Sequence, residues 1–409
     1  MITWRCWSKT LSALLATSKI VTFATRLNTS QGRINKKLFA LGAIALVSGS
    51  AFAQASTSTS SVQLYGIVDV AYRHTNNEGP AANNSQTLNQ LVGGGMSQSR
   101  WGINVSEDLG GGTKALVNME NRFGADTGAT NSGATGPYFQ QSWVGLQGGY
   151  GRLTMGRQYN ILFDLVTSTY ASYPYSPYMD VYKPEIGFAL GARADNMIKY
   201  MAEVGPVRGA LQYSFDEKSP TGGKTVGGYL RYAANGLAAG LGYQNYEFAS
   251  GKKLEAWTLG GSYRMDKWYF NAGYGENKVD QLTSPVDLAV LGAMWQGTIN
   301  GGFGGPAFLT ANKRTIYQLG VGYQLTPQMN LGAHYFHAKQ SGANANADAT
   351  ANFFTMALDY AFSKRTDAYI EVDNTRLKGN VSLTSSAAGV GVNGAKSRTG
   401  FTVGLRHRF

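Results

Sequence analysis

The chain has 409 residues and a formal charge of +12, with 53 Gly, 24 Tyr and 18 Phe against 10 Pro and a single Cys. Such a charge invites a nucleic-acid partner, but residues 1–53 hold seven of the 36 Lys and Arg and none of the 24 Asp and Glu, leaving the rest near balance at +5. The one thiol, Cys6, lies in that same segment, which excludes disulfides and thiolate chemistry from everything after it.

The first 53 residues explain themselves. Lys36 and Lys37 precede an apolar run from Leu38 to Val47, then Ala51-Phe52-Ala53. A basic start, a short apolar middle and an A-x-A site make a secretory signal. Cleavage is expected after Ala53, so that the mature chain starts at Gln54. The run is about half of the ~20 apolar residues a membrane helix needs, which argues against an anchor. Residues 1–33, ahead of the signal, read most simply as a start assigned too far upstream.

From Gln54 onward the hydrophobic period is two, the period of strands. In order, strands are expected at 62–75, 98–107, 113–124, 139–148, 151–158, 195–203, 206–216, 225–234, 236–247, 254–265, 267–277, 313–325, 328–339, 352–363, 366–376 and 397–409. In "TIYQLGVGYQL", Tyr317, Leu319, Val321, Tyr323 and Leu325 share one face, while Gln318, Gly320, Gly322 and Gln324 share the other. The closing "FTVGLRHRF" alternates in the same way and ends on the apolar parity at Phe409. Every second link is tight, such as "LGGG", "AANG" and "MDK"; those between are mostly long and polar, including 76–97, 159–194 and 278–312.

One trimmed rim and one ornamented rim is the asymmetry of antiparallel membrane barrels. In lipid a sheet with open edges leaves backbone groups unpaired, so the sheet must close. The apolar parity then faces lipid and the polar parity faces water. About sixteen strands enclose too wide a lumen for side chains to fill. The expected fold is an all-β transmembrane antiparallel barrel of about sixteen strands.

Four stretches carry a resemblance: "LYGIVDVAY", "SRWGINVSEDLGGGTKALVNMENRFGADTG", "SWVGLQGGYGRLTMGRQYN" and the C-terminal "GLRHRF". Together they make residues 54–409 similar to the general porins of Gram-negative bacteria, specifically the beta-proteobacterial family. The resemblance implies a homotrimeric, water-filled channel in the outer membrane for ions and small hydrophilic solutes, with no cofactor. It also implies that the third loop, here 159–194, folds inward to narrow the lumen. The C-terminal strand ending in Phe409 resembles the signal such barrels present to their assembly machinery.

Candidate lumen charges follow from parity and from the resemblance. Arg100 alternates with Trp101, Ile103 and Val105 and so points inward; Arg122 shares the inward parity of Asn118 and Glu120. Lys199, between Ile198 and Tyr200, is a further candidate. Arg100 and Arg157 match the family's wall arginines, although Arg157 shares parity with Leu153 and Met155 and needs a bulge to turn inward. Glu185, in Pro184-Glu185-Ile186-Gly187, resembles the acidic loop tip, with Asp180 a second loop acid. Inward charges set a channel's size and charge preference. Because Glu120, Glu371 and Asp373 offset much of the basic wall, the sequence leaves anion against cation preference open.

Other classes fare worse. A barrel enzyme needs a nucleophile and base held together, yet the histidines after residue 53 are only His74, His334, His337 and His407, and His334 and His337 fall on opposite parities. A metal site has the same difficulty. A substrate-specific channel would show an aromatic slide, for which inward Tyr229 and Tyr269 are too few. A purely structural adhesin is separated from a porin by conductance.

Overall fold

In a computed structural model, the described residues are 60–78, 85–130, 137–171, 190–219, 223–296, 311–342, 347–383 and 394–409. The expected leader, with its cut after Ala53, lies outside them. So do Asp180 and Glu185 of the third loop.

Among the described residues, seventeen strand segments form one sheet: β1 Ser61–Thr75, β2 Leu88–Gly93, β3 Arg100–Gly110, β4 Thr113–Arg122, β5 Phe139–Gly148, β6 Gly151–Tyr159, β7 Arg193–Val204, β8 Val207–Ser214, β9 Lys224–Ala234, β10 Leu237–Glu247, β11 Lys253–Met265, β12 Trp268–Val279, β13 Ala311–Gln324, β14 Met329–Gly342, β15 Ala349–Ala361, β16 Thr366–Gly379 and β17 Ser397–Arg408. Helices sit in two of the long connections: α1 Ile161–Thr169 after β6, and α2 Pro285–Gln296 after β12. Among the described residues no helix is long and apolar enough to cross a membrane.

The sheet closes on itself. β1 pairs with β17 from Ile67–Arg408 to Thr75–Gly400 on one side. On its other side the lower half, Ser61–Ile67, pairs with β3, and the upper half, Val70–Thr75, pairs with β2. β2 and β3 are therefore two halves of one interrupted stave, and the barrel has sixteen. Reading 76–97 as a plain connection missed β2. Its pattern is short, broken by Asn89-Gln90 and runs into Gly93-Gly94-Gly95, so nothing in it announces a strand.

Alternation decides which face meets lipid. Along β17, Phe401, Val403 and Leu405 are exposed, while Arg398, Thr402 and Arg406 on the alternate positions are buried. β13 repeats this, with Tyr317 and Leu319 exposed and Gln318 buried. Apolar groups outside and polar groups inside invert a soluble protein. The tight rim uses hairpin chemistry: Asn235 and Gly236 both take positive φ, 52° and 81°, as a two-residue turn matched to strand twist requires.

Candidate functional site

Arg100 and Arg122 stand opposite each other on β3 and β4. Between them lies Glu120, whose Oε1 accepts from Arg122 Nε at 3.0 Å and whose Oε2 lies 3.7 Å from Arg100 Nη1. The Tyr65 hydroxyl also donates to Glu120 Oε2 at 3.2 Å. A third guanidinium arrives from the far side: Tyr159 and Arg193 are register partners on β6 and β7. The Tyr159 hydroxyl accepts from both Arg122 and Arg193, and the Arg193 guanidinium lies 4.8 Å from the centre of the tyrosine ring. Three cations thus share one carboxylate and one phenol.

The interruption between β2 and β3 completes this group. Residues 94–99 leave the stave at Gly94, where φ is 96°, and lie over the inner face of β1. Asp69 holds them: its Oδ2 accepts the amides of Met96 and Ser97 at 3.1 and 2.7 Å, and its carbonyl accepts the amide of Gly94 at 2.8 Å. Met96 is buried against Ala71 and Tyr369. The inturned segment delivers Gln98, whose carbonyl accepts Arg100 Nε at 3.1 Å and whose amide oxygen accepts Arg122 Nη1. One residue therefore aims both arginines.

Of the residues expected from sequence, Arg100, Arg122 and Glu120 come together. Arg157 stands apart. A register shift between Gly156 and Gln158, with Gly156 at φ 126°, leaves Arg157 opposite Ser142 on the outward parity of Val144 and Met155. There it pairs with the exposed Asp195. The bulge its parity demanded is present, but it does not turn Arg157 inward. Lys199 does point inward, and its ammonium is spent on the third connection, donating to Asp164 Oδ2 at 2.5 Å and to the Tyr159 carbonyl at 2.9 Å. Burial pushes the Asp164 carboxyl up and Lys199 opposes that shift. The pair fixes position more than it adds stability.

Helix α1 opens that connection and lies against β8–β11. Asn160 caps it by accepting the Phe163 amide at 2.9 Å. Its apolar side rests on glycines of the inner wall: Ile161 over Gly227, Leu162 and Leu165 over Gly242, and Tyr170 over Gly260 and Gly273. Gln318 Nε2 donates to the Tyr170 carbonyl at 2.6 Å, and the Tyr269 hydroxyl to the Ala171 carbonyl at 3.0 Å. Inward Tyr269 therefore serves the loop and is not part of an aromatic slide.

The wall acids set against the basic residues are engaged elsewhere. Asp373 pairs with Arg73 at 2.7 Å and Asp367 with Arg406 at 2.9 Å, while Glu371 is fully buried beside them. Sequence reasoning missed Arg193, Tyr159 and Gln98. Tyr159 and Arg193 sit at strand ends, where expected boundaries fell one and two residues short. The one available signal for Gln98 was its place beside "GGG" and Arg100.

A family model described as Gram-negative porin matches residues 40–380. Outer membrane porin protein 32 of Delftia acidovorans is 30% identical over 394 residues, covering 92% of this chain and 100% of that relative. An outer membrane porin protein of Bordetella pertussis is 27% identical over 406 residues, covering 90% of this chain and 98% of that relative. Among solved structures, an anion-selective porin from Comamonas acidovorans superposes with a TM-score of 0.67 at 26% identity, covering 86% of this chain and all of that one. OmpT of Vibrio cholerae in its trimer form shares the fold at a TM-score of 0.62 and 15% identity, covering 86% of this chain and 99% of that one. These point to a channel of the outer membrane and not to an enzyme. Closed barrel, inward charge and sequence agree, and the chain belongs to the Gram-negative porin family.

Proposed function

We propose that this diffusion channel assembles as a homotrimer and favours anions. The observation that carries the preference is the grouping of Arg100, Arg122 and Arg193 around the single carboxylate of Glu120. The other inward acids named above are paired or buried, so this group supplies the net field at its height of the lumen. The anion-selective relative supports the reading, and the trimeric form of a structural neighbour supports the assembly. In this reading the third loop, beginning with α1 and carrying Asp180 and Glu185, narrows the water path opposite the arginines. Small hydrophilic solutes pass without a cofactor.

The leader is removed after Ala53, and intact mass of the outer-membrane form tests that cut. The preference is tested by the zero-current potential of the channel across a potassium chloride gradient in a planar bilayer. An anion-signed potential is expected. A cation-signed or zero potential rejects the reading, and native mass spectrometry showing only monomers rejects the assembly.

A further inference from the structure

Arg208 of β8 and Arg231 of β9 stand directly opposite each other across neighbouring strands. Both lie on the inward parity, with buried Gln212 and Tyr229. Like charges so placed repel, and the fold gains nothing from them. Arg231 is partly engaged, donating through Nε and Nη2 to the Ser168 carbonyl at 3.1 and 2.9 Å. Among the described residues Arg208 forms its ion pair with Glu203, at 3.0 Å, and that carboxylate is itself largely exposed.

Beside them the inner wall has a recess of about 270 Å³, lined among others by Arg152, Arg208, Lys199, Thr154, Tyr229 and Asp164. Asp164 and Lys199 neutralise each other. Arg152 has no carboxylate among the described residues within ion-pair distance; its recorded contact is the Met201 sulfur at 3.5 Å, a weak acceptor. The recess therefore presents the Arg152 guanidinium, without a carboxylate at ion-pair distance, and that of Arg208, whose Nε and Nη2 rest on the exposed Glu203, beside the hydroxyls of Thr154 and Tyr229. Guanidinium forks match the paired oxygens of carboxylates and phosphates.

One end of the recess reaches Tyr159, which the arginine group shares, but its own arginines lie at another height. Arg152 and Arg208 are each the second residue of a strand that starts at the tight rim. Arg100 and Arg122 sit at the opposite ends of β3 and β4. The tight rim is periplasmic in barrels of this kind.

We propose that this recess is a second anion station, which holds a small oxyanion, a carboxylate or a phosphate, on the periplasmic side of the arginine group. It rests on the anion-favouring reading of the channel. The experiment is block of chloride current through the purified protein in planar bilayers, by inorganic phosphate and separately by succinate. In the native channel conductance should fall saturably with at least one of them; response to phosphate alone assigns the tetrahedral oxyanion, and to succinate alone the carboxylate. Arg208→Gln and, separately, Arg152→Gln, which breaks no ion pair, should each raise the half-blocking concentration about tenfold, the value of a charged hydrogen bond. Arg100→Gln should shift the zero-current potential and leave the block in place. A native response without saturation overturns the station, as does an unchanged half-block in both variants. Equal loss of block in Arg100→Gln also overturns it, by placing the anion at the upper group. A cation-signed native potential with block intact would reject the selectivity reading alone.

Discussion

The ring of Phe409 lies over Gly66, and the two residues exchange backbone hydrogen bonds at 3.0 and 3.1 Å. A Cβ at Gly66 would come within 2.8 Å of three ring carbons. The seat exists because β1 has no side chain there, and the ring covers the seam where the last strand meets the first. Gly66→Val should displace the ring and cost about 1–3 kcal/mol of overpacking. The folded, heat-modifiable band on gels should melt at a lower temperature, whereas Gly149→Val, in a turn with open space around it, should not move it.

Gln98 offers a cleaner test of aim. Gln98→Leu keeps the carbonyl that holds Arg100 and removes the amide oxygen that holds Arg122. The zero-current potential should move part of the way that Arg122→Gln moves it. Gln98→Glu places a second carboxylate between the arginines and should move it further toward cations. Potentials equal to native in both variants would show that Gln98 does not position Arg122.

The sixteen staves were legible because lipid outside and water inside impose strict period two, and exposed Leu319 beside buried Gln318 displays it. The site was legible only where that parity holds. Arg100 and Arg122 follow it, and so does Arg157, which keeps the outward parity of Met155 and was set in the lumen only by its likeness to the family's wall arginines. Helix α1 had its cap at Asn160 and its stripe at Ile161, Leu162, Leu165 and Val166. It was overlooked because an apolar helix has no place against a uniformly polar lumen. Glycines 227, 242, 260 and 273 make that wall locally apolar and flat. Such a bed is visible only once strands from distant parts of the chain are side by side.

That bed can be filled. A Cβ at Gly273 would come within 2.8 Å of two Tyr170 ring carbons, and one at Gly242 would come within 2.9 Å of Leu162 and Leu165. Gly273→Val should therefore push the start of the third connection toward the pore axis. Single-channel conductance should fall, while gel mobility of the folded barrel stays native. Unchanged conductance would mean that this segment does not border the water path.

The tether between Asp164 and Lys199 is expected to behave as a buried pair. Lys199→Met alone leaves the Asp164 carboxylate without its partner, a loss of about 3 kcal/mol. Amides of residues 160–171 should then exchange faster with deuterium. The double variant Asp164→Leu with Lys199→Met removes both charges and should recover most of the protection, since well-packed apolar replacements of such pairs are commonly neutral. Failure of the double variant to recover would assign the hold to hydrogen bonds such as that of Gln318.

The arginine group can be separated from an arginine that sequence alone ranked beside it. At about 7 Å in water one unit charge shifts a passing ion by about 0.6 kcal/mol. Arg100→Glu changes the wall by two units, so the energy of each ion moves by about 1.2 kcal/mol, roughly sevenfold in its distribution before screening. The zero-current potential should move strongly toward cations at about 0.1 M salt, where the screening length is about 10 Å. It should move less at about 1 M, where that length is about 3 Å. Arg193→Glu, missed from sequence, should act like Arg100→Glu because it belongs to the same group, sharing Tyr159 with Arg122. Arg157→Glu should do little, because its side chain lies on the outward parity with Asp195. If Arg157→Glu shifted the potential as far as Arg193→Glu, the outward placement of Arg157 would be wrong, and the bulge at Gly156 would have to turn it inward after all.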